Sequence, residues 1–144
     1  MFAALPLLVV PVLIYNLIGV TLVGGFASID ANARLQTAIF TVPMTSRVGW
    51  PVTLGDLLLA VALVVLFVEL LKSTNSRRAA IVNHALSMLL FIACLMEFLL
   101  APAFATSTFF LITLMTLLDV LAGFIVTIVS ARRDMDFTGG GSDT

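Results

Sequence analysis

Charge is scarce in this chain. Asp, Glu, Lys and Arg make up 10% of its 144 residues, against 61% that are hydrophobic, where a soluble domain carries about 25% charged residues. A soluble fold of this length must cover its outside with polar groups, and too few are present. Lipid is therefore the expected solvent for most of the surface. The net charge is −1, with neither a basic stripe nor an acidic run, which excludes a nucleic-acid surface. Histidine and cysteine occur once each. One imidazole cannot supply paired haem ligation or a multi-histidine metal site. Cys94 alone makes no intrachain disulfide, no CxxC redox pair and no thiolate metal site. Also missing are a nucleophile with its base, a phosphate loop and a Gly-rich dinucleotide fingerprint. The run Gly139-Gly140-Gly141 has no Lys and belongs to the tail. An enzyme is not expected, nor a cofactor or metal.

What the chain has instead is apolar length. A membrane helix needs about 20 apolar residues, and four segments qualify: Phe2 to Phe26, Leu54 to Lys72, Arg78 to Ala101 and Ser107 to Ser130. The fold class read from this is all-α, a four-helix transmembrane bundle. The first segment has no Lys or Arg ahead of it and is longer than a signal-peptide core, so it is expected to stay as a helix. The triplet Ala31-Asn32-Ala33 lies too far beyond it to be its cleavage site. Pro11 is expected to kink this helix. Thr53 and Asp56 fit a capping box at the start of the second, and Lys72 suits the negative end of its dipole. Thr106 or Ser107 would cap the fourth, a cytoplasmic tail is expected from Ala131 to Thr144, and its end from Thr138 to Thr144 reads as flexible.

Basic residues orient the chain. Lys72, Arg77 and Arg78 lie between the second and third segments, and Arg132 and Arg133 follow the fourth; Arg34 and Arg47 lie in the first connection. The positive-inside bias then puts both termini in the cytoplasm and Ala27 to Val52 outside. A multi-pass protein of a bacterial inner membrane is the expected setting. In the outer connection Asp30 would cap a short helix with Ala31, Leu35, Ala38 and Ile39 on one face, lying on the membrane or over the bundle. Beyond it a Pro- and Gly-punctuated loop ending at Trp50 is expected, because Pro43 and Pro51 should interrupt a β-hairpin ladder.

Ionisable groups inside apolar helices are costly, on the order of 2.5–3.5 kcal/mol at the centre of a span, and so point to function. Glu97 and Asp119 are the leading candidates for an intramembrane site. On the third segment Asn83, Ser87, Leu90, Cys94, Glu97 and Ala101 share one face. On the fourth, Thr116, Asp119, Gly123, Thr127 and Ser130 do so. Such stripes belong at helix contacts. A rise of about 1.5 Å per residue puts Asp119 near mid-membrane and Glu97 in the outer third, offset by on the order of 10 Å. Three readings stay open: neutral carboxyls held inside the bundle, a contact with a basic residue of a partner, or stations on a proton or cation path. Glu69 and His84 form a weaker candidate pair near the cytoplasmic boundary, where His is able to titrate. The plainer alternative pairs Glu69 with Lys72 or Arg77 and lets His84 snorkel. Phe98, Phe104, Phe109 and Phe110 suggest a quinone or lipid pocket only weakly, since Phe at lipid depth is ordinary.

The expectation drawn from these features is a non-catalytic accessory, assembly or scaffold subunit. Its partners would be the lipid bilayer and other membrane subunits, or further copies of itself. The competing expectation is a small proton- or cation-linked transporter or channel.

Overall fold

A computed structural model describes residues 5–22, 24–72 and 77–139. The turn expected at Ser73 to Ser76 and the end of the tail lie outside these residues. The elements are α1 (Val9–Thr21), α2 (Ala31–Leu35), β1 (Ala38–Pro43), β2 (Gly49–Thr53), α3 (Leu54–Lys72), α4 (Arg77–Leu100), a 3-10 turn (Pro102–Phe104) and α5 (Ser107–Gly139). The fold is mainly helical. Leu54–Lys72, Ile81–Leu100 and Ser107–Ile125 are each long and apolar enough to cross a membrane, and α1 is a shorter apolar helix.

Local chemistry sets the helix ends. Pro11 is the third residue of α1, where an N–H has no intrahelical acceptor to lose, so its missing donor removes no bond of the helix. The chain leaves α1 through Gly24 and Gly25 at φ +91° and +109°, a backbone that side chains with a Cβ rarely adopt. The capping box forms: the Asp56 N–H donates to Thr53 Oγ1 (3.1 Å), and the Thr53 N–H donates to Asp56 Oδ2 (2.9 Å). Thr106 caps α5, its Oγ1 accepting from the Phe109 N–H at 3.1 Å. The 33 residues of α5 extend about 50 Å, beyond the ~30 Å of a hydrocarbon core. Helix therefore continues through most of the expected tail, as far as Gly139.

The helices run alternately up and down. The Leu7 N–H bonds Glu69 and the Leu5 carbonyl accepts from Lys72, both near the end of α3. At the other end the Phe26 carbonyl accepts from the Ala103 N–H. The segment from Leu5 to Phe26 is thus antiparallel to α3, although only part of it is helical. Along α4 and α5, Phe98 stacks on Phe110 at 5.6 Å, Ser87 bonds Asp119, and His84 sits against Gly123. That register is antiparallel too.

The bundle is apolar outside and polar or small inside. Leu63, Val64, Phe67, Leu89, Leu99, Leu100, Leu118 and Ile125 are exposed, whereas Ala62, Ser87, Cys94, Thr113 and Thr116 are buried. Small residues permit the close backbone approach that drives helix association in lipid. At one end the buried Tyr15, Phe104 and Phe109 form an aromatic knot, with centroids 4.6–5.4 Å apart. Beneath α2, Leu35 and Ala31 close this core.

The first connection departs from expectation. Strands β1 and β2 form the hairpin that the two prolines were expected to prevent. Pro43 faces Gly49 and Pro51 faces Thr41, with Val42 facing Trp50 between them. Antiparallel pairs alternate between hydrogen-bonded and non-bonded, and the Met44 N–H bonds the Val48 carbonyl at 3.0 Å. By that alternation both prolines occupy positions whose N–H would point away from the partner strand, so neither removes a ladder bond. Arg47 closes the turn at φ 61°. Helix α2 ends at Leu35, which moves Ala38 and Ile39 from a helical face into β1, and the Asp30 side chain makes no capping bond.

Candidate intramembrane polar site

Polar side chains that enter an apolar bundle must find partners there, because lipid offers none. Asp119 accepts from the Ser87 hydroxyl at 2.5 Å, both residues being buried. Glu97 accepts from Asn16 Nδ2 at 3.3 Å, and the same amide nitrogen donates to the Val12 carbonyl at 3.1 Å. Ser87 and Glu97 are ten residues apart on α4, about 15 Å along its axis. The two leading carboxylates are therefore not brought together. Glu97 joins α4 to α1, and Asp119 joins α5 to α4. Neither forms an ion pair among the described residues.

Glu69 is fully buried and is the most heavily engaged acid in the fold. Its Oε2 accepts from the Leu7 N–H at 2.6 Å, and its Oε1 accepts from Asn83 Nδ2 at 2.7 Å and from Lys72 Nζ at 3.5 Å. Lys72 also donates to the Leu5 carbonyl at 2.6 Å. One carboxylate thus ties α3 to α4 and to the chain ahead of α1. His84 makes no bond to Glu69. Its ring lies against α5 at Gly123, and its Nδ1 is buried without a hydrogen-bond partner, as is Asn83 Oδ1. Glu69, Lys72 and His84 all lie within electrostatic range of Asp119.

Further along the bundle the polar groups are hydroxyls. Thr116 donates to the Thr113 carbonyl and Thr113 to the Phe109 carbonyl, at 2.7 and 2.9 Å. Tyr15 donates to the Ala103 carbonyl at 3.0 Å and shares a 2.6 Å bond with Thr106 Oγ1. No group of three or more His, Cys, Asp or Glu that could hold a metal occurs among the described residues.

No protein-family model, curated protein or solved structure matches the chain. The site therefore rests on its own geometry.

That geometry makes the weaker sequence pair and Asp119 neighbours in one region, while Glu97 belongs to another. The stripe on α4 faces inward as its spacing implies: Asn83, Ser87 and Cys94 are buried. On α5 Thr116 and Asp119 are buried, and the side chains of Thr127 and Ser130 lie outside the described residues. Asn16 and Tyr15, the polar anchors of α1, were not singled out from the sequence. The available signal was their position: each is a polar group inside an otherwise apolar run and needs a partner as much as an acid does. The Leu7 N–H had no signal, since any backbone donor ahead of a helix is unpaired.

Proposed function

We propose that the chain is a four-span, non-catalytic membrane protein acting as an accessory, assembly or scaffold subunit. The observation carrying this reading is that all three acids within the bundle are engaged by groups of the same chain. Glu69 takes Leu7 and Asn83, Glu97 takes Asn16, and Asp119 takes Ser87. These bonds hold helix to helix, and among the described residues each acid inside the bundle already has a partner from its own chain. What the chain offers to others is its apolar outside, where α1, α3, α4 and α5 each carry exposed Leu, Ile, Val or Phe. Association through such faces works by packing of side chains in lipid. The up-and-down course of α1, α3, α4 and α5 and the basic-residue bias support a reading with both ends of the bundle in the cytoplasm and the hairpin outside.

Purification of the tagged chain in a mild detergent tests this. A foreign membrane subunit recovered in fixed stoichiometry, and lost when an exposed residue such as Phe67 is changed to Ala, is the expected result. A homogeneous preparation that carries protons or cations across liposomes by itself would overturn it.

A further inference from the structure

We propose that the region between α3, α4 and α5 around Asn83, His84 and Asp119 is a binding site for one small cation, a proton or sodium. Charge is the first argument. Among the residues whose side chains are described, two carboxylates, Glu69 and Asp119, share this region with one ammonium, Lys72. Glu69 and Asp119 are 0% and 5% exposed, so water does not screen the excess negative charge.

Hydrogen-bond supply is the second argument, and it is independent of charge. None of the donors here reaches Asn83 Oδ1 or His84 Nδ1. The Ser87 hydroxyl goes to Asp119, the Asn83 amide to Glu69, the Leu7 N–H to Glu69, and Lys72 to Leu5 and Glu69. Asn83 is 8% exposed, and its Oδ1 is buried with nothing donating to it. Its Nδ2 is fixed on Glu69 at 2.7 Å, which sets the amide orientation and leaves the oxygen as the free end. One residue on, His84 Nδ1 is likewise buried and unpartnered. With its proton on Nε2, this nitrogen is a second acceptor without a donor.

Position brings the two arguments together. Asn83 and His84 lie one turn from Ser87 on α4, and Gly123 lies one turn from Asp119 on α5. His84 rests on Gly123 and Ser87 bonds Asp119, so the unpartnered acceptors and the Asp119 carboxylate occupy successive levels of one seam. An excess of acceptors with an excess of negative charge is what a small cation satisfies. A proton would reside on Asp119, and sodium would take the oxygens of Asn83, Ser87 and Asp119. The ionisable side chains facing the seam among the described residues are Glu69 and Lys72 from α3, His84 from α4 and Asp119 from α5. Glu97, bonded to α1, is not among them.

The experiment is the thermal midpoint of the purified full chain in detergent, read by circular dichroism. Sodium chloride is exchanged for choline chloride at constant ionic strength and pH, and pH is varied from 5 to 8 without sodium. A midpoint that rises and saturates with sodium identifies sodium, because a ligand bound only by the folded state stabilises by mass action. A midpoint that rises only on acidification identifies the proton. In either case Asp119→Asn, which removes the excess charge and keeps an acceptor for Ser87, should abolish the dependence. Glu97→Gln should preserve it. Midpoints of the wild-type chain that are equal in sodium and choline and constant across pH would overturn the proposal. So would a dependence that survives in Asp119→Asn.

Discussion

Gly123→Ala tests the closest approach between two helices of the bundle. A Cβ at this position would lie 2.5 Å from His84 Nδ1, 3.2 Å from its Cγ and 3.4 Å from its Cβ. Ordinary contacts between heavy atoms are about 3.5–4 Å, so the ring must retreat by about 1 Å. Swinging the ring alone does not relieve this, since the Cβ is also near its limit. Overpacking of this kind costs about 1–3 kcal/mol. Against it stands the better helix propensity of Ala over Gly, about 1 kcal/mol. The single variant is therefore expected to lose about 0–2 kcal/mol, too broad a range to decide alone. The double-mutant cycle decides. In a His84→Ala background the clash is gone, and Gly123→Ala should be neutral or stabilising. The coupling is then about 1–3 kcal/mol. Unfolding by sodium dodecyl sulfate in mixed micelles, followed by circular dichroism, gives the four free energies. Leu121→Phe, at a position 49% exposed, is the neutral control. Coupling below about 0.3 kcal/mol would refute the packing of His84 on Gly123.

Three further outcomes follow from the same contacts. Glu69→Gln should destabilise more than Asp119→Asn in the same unfolding assay. The Gln carbonyl is one acceptor for the Leu7, Asn83 and Lys72 donors, whereas Asn still accepts the single bond from Ser87. Equal losses would refute that difference in bonding. Tyr15→Phe leaves the buried Ala103 carbonyl without the Tyr15 donor and the Thr106 hydroxyl with only the Phe109 N–H, and should cost about 1–3 kcal/mol; an unchanged midpoint would remove Tyr15 as an anchor. Ser46→Cys in a Cys94→Ser chain should label with an impermeant maleimide added outside intact cells, and labelling only after lysis would invert the proposed orientation.

Most of the helical architecture was legible because the signals are one-dimensional. A long apolar run identifies a span without knowledge of its neighbours. Thr53, three residues ahead of Asp56, identifies a helix start by a bond entirely local in sequence. The outer connection failed for the opposite reason. Whether Pro43 and Pro51 break a ladder depends on register, and register is a relation between two strands. Two prolines on different strands can both face outward only when the turn has the right length. Here the turn through Arg47 aligns Val42 with Trp50, and the prolines fall on the non-bonded pairs. The effect of Pro11 likewise depends on where the helix starts, and α1 begins two residues earlier.

The polar site shows the same division between what one helix states and what two helices decide. The spacing of Asn83, Ser87 and Cys94 placed them on an inward face, and they are buried there. Spacing along one helix carries no information about which residue meets them from the other side. Depth along each helix therefore ranks Glu97 and Asp119 as the leading acids, about 10 Å apart along the axis, and sets Glu69 apart at the rim. The fold instead groups Glu69 with Asp119, through a registration set by small residues. Gly123 admits His84, and that depth of contact brings Ser87 to Asp119 one turn away. Glu97, farther along α4, is left to Asn16. A membrane bundle has little hydrophobic driving force to choose among registers, since lipid is as apolar as the helices. The choice then falls to the few positions where a polar group would otherwise be stranded. Glu69, with donors from three parts of the chain, fixes the level of α4 and of the chain ahead of α1 against α3, which makes it the residue on which the geometry of the other two acids depends.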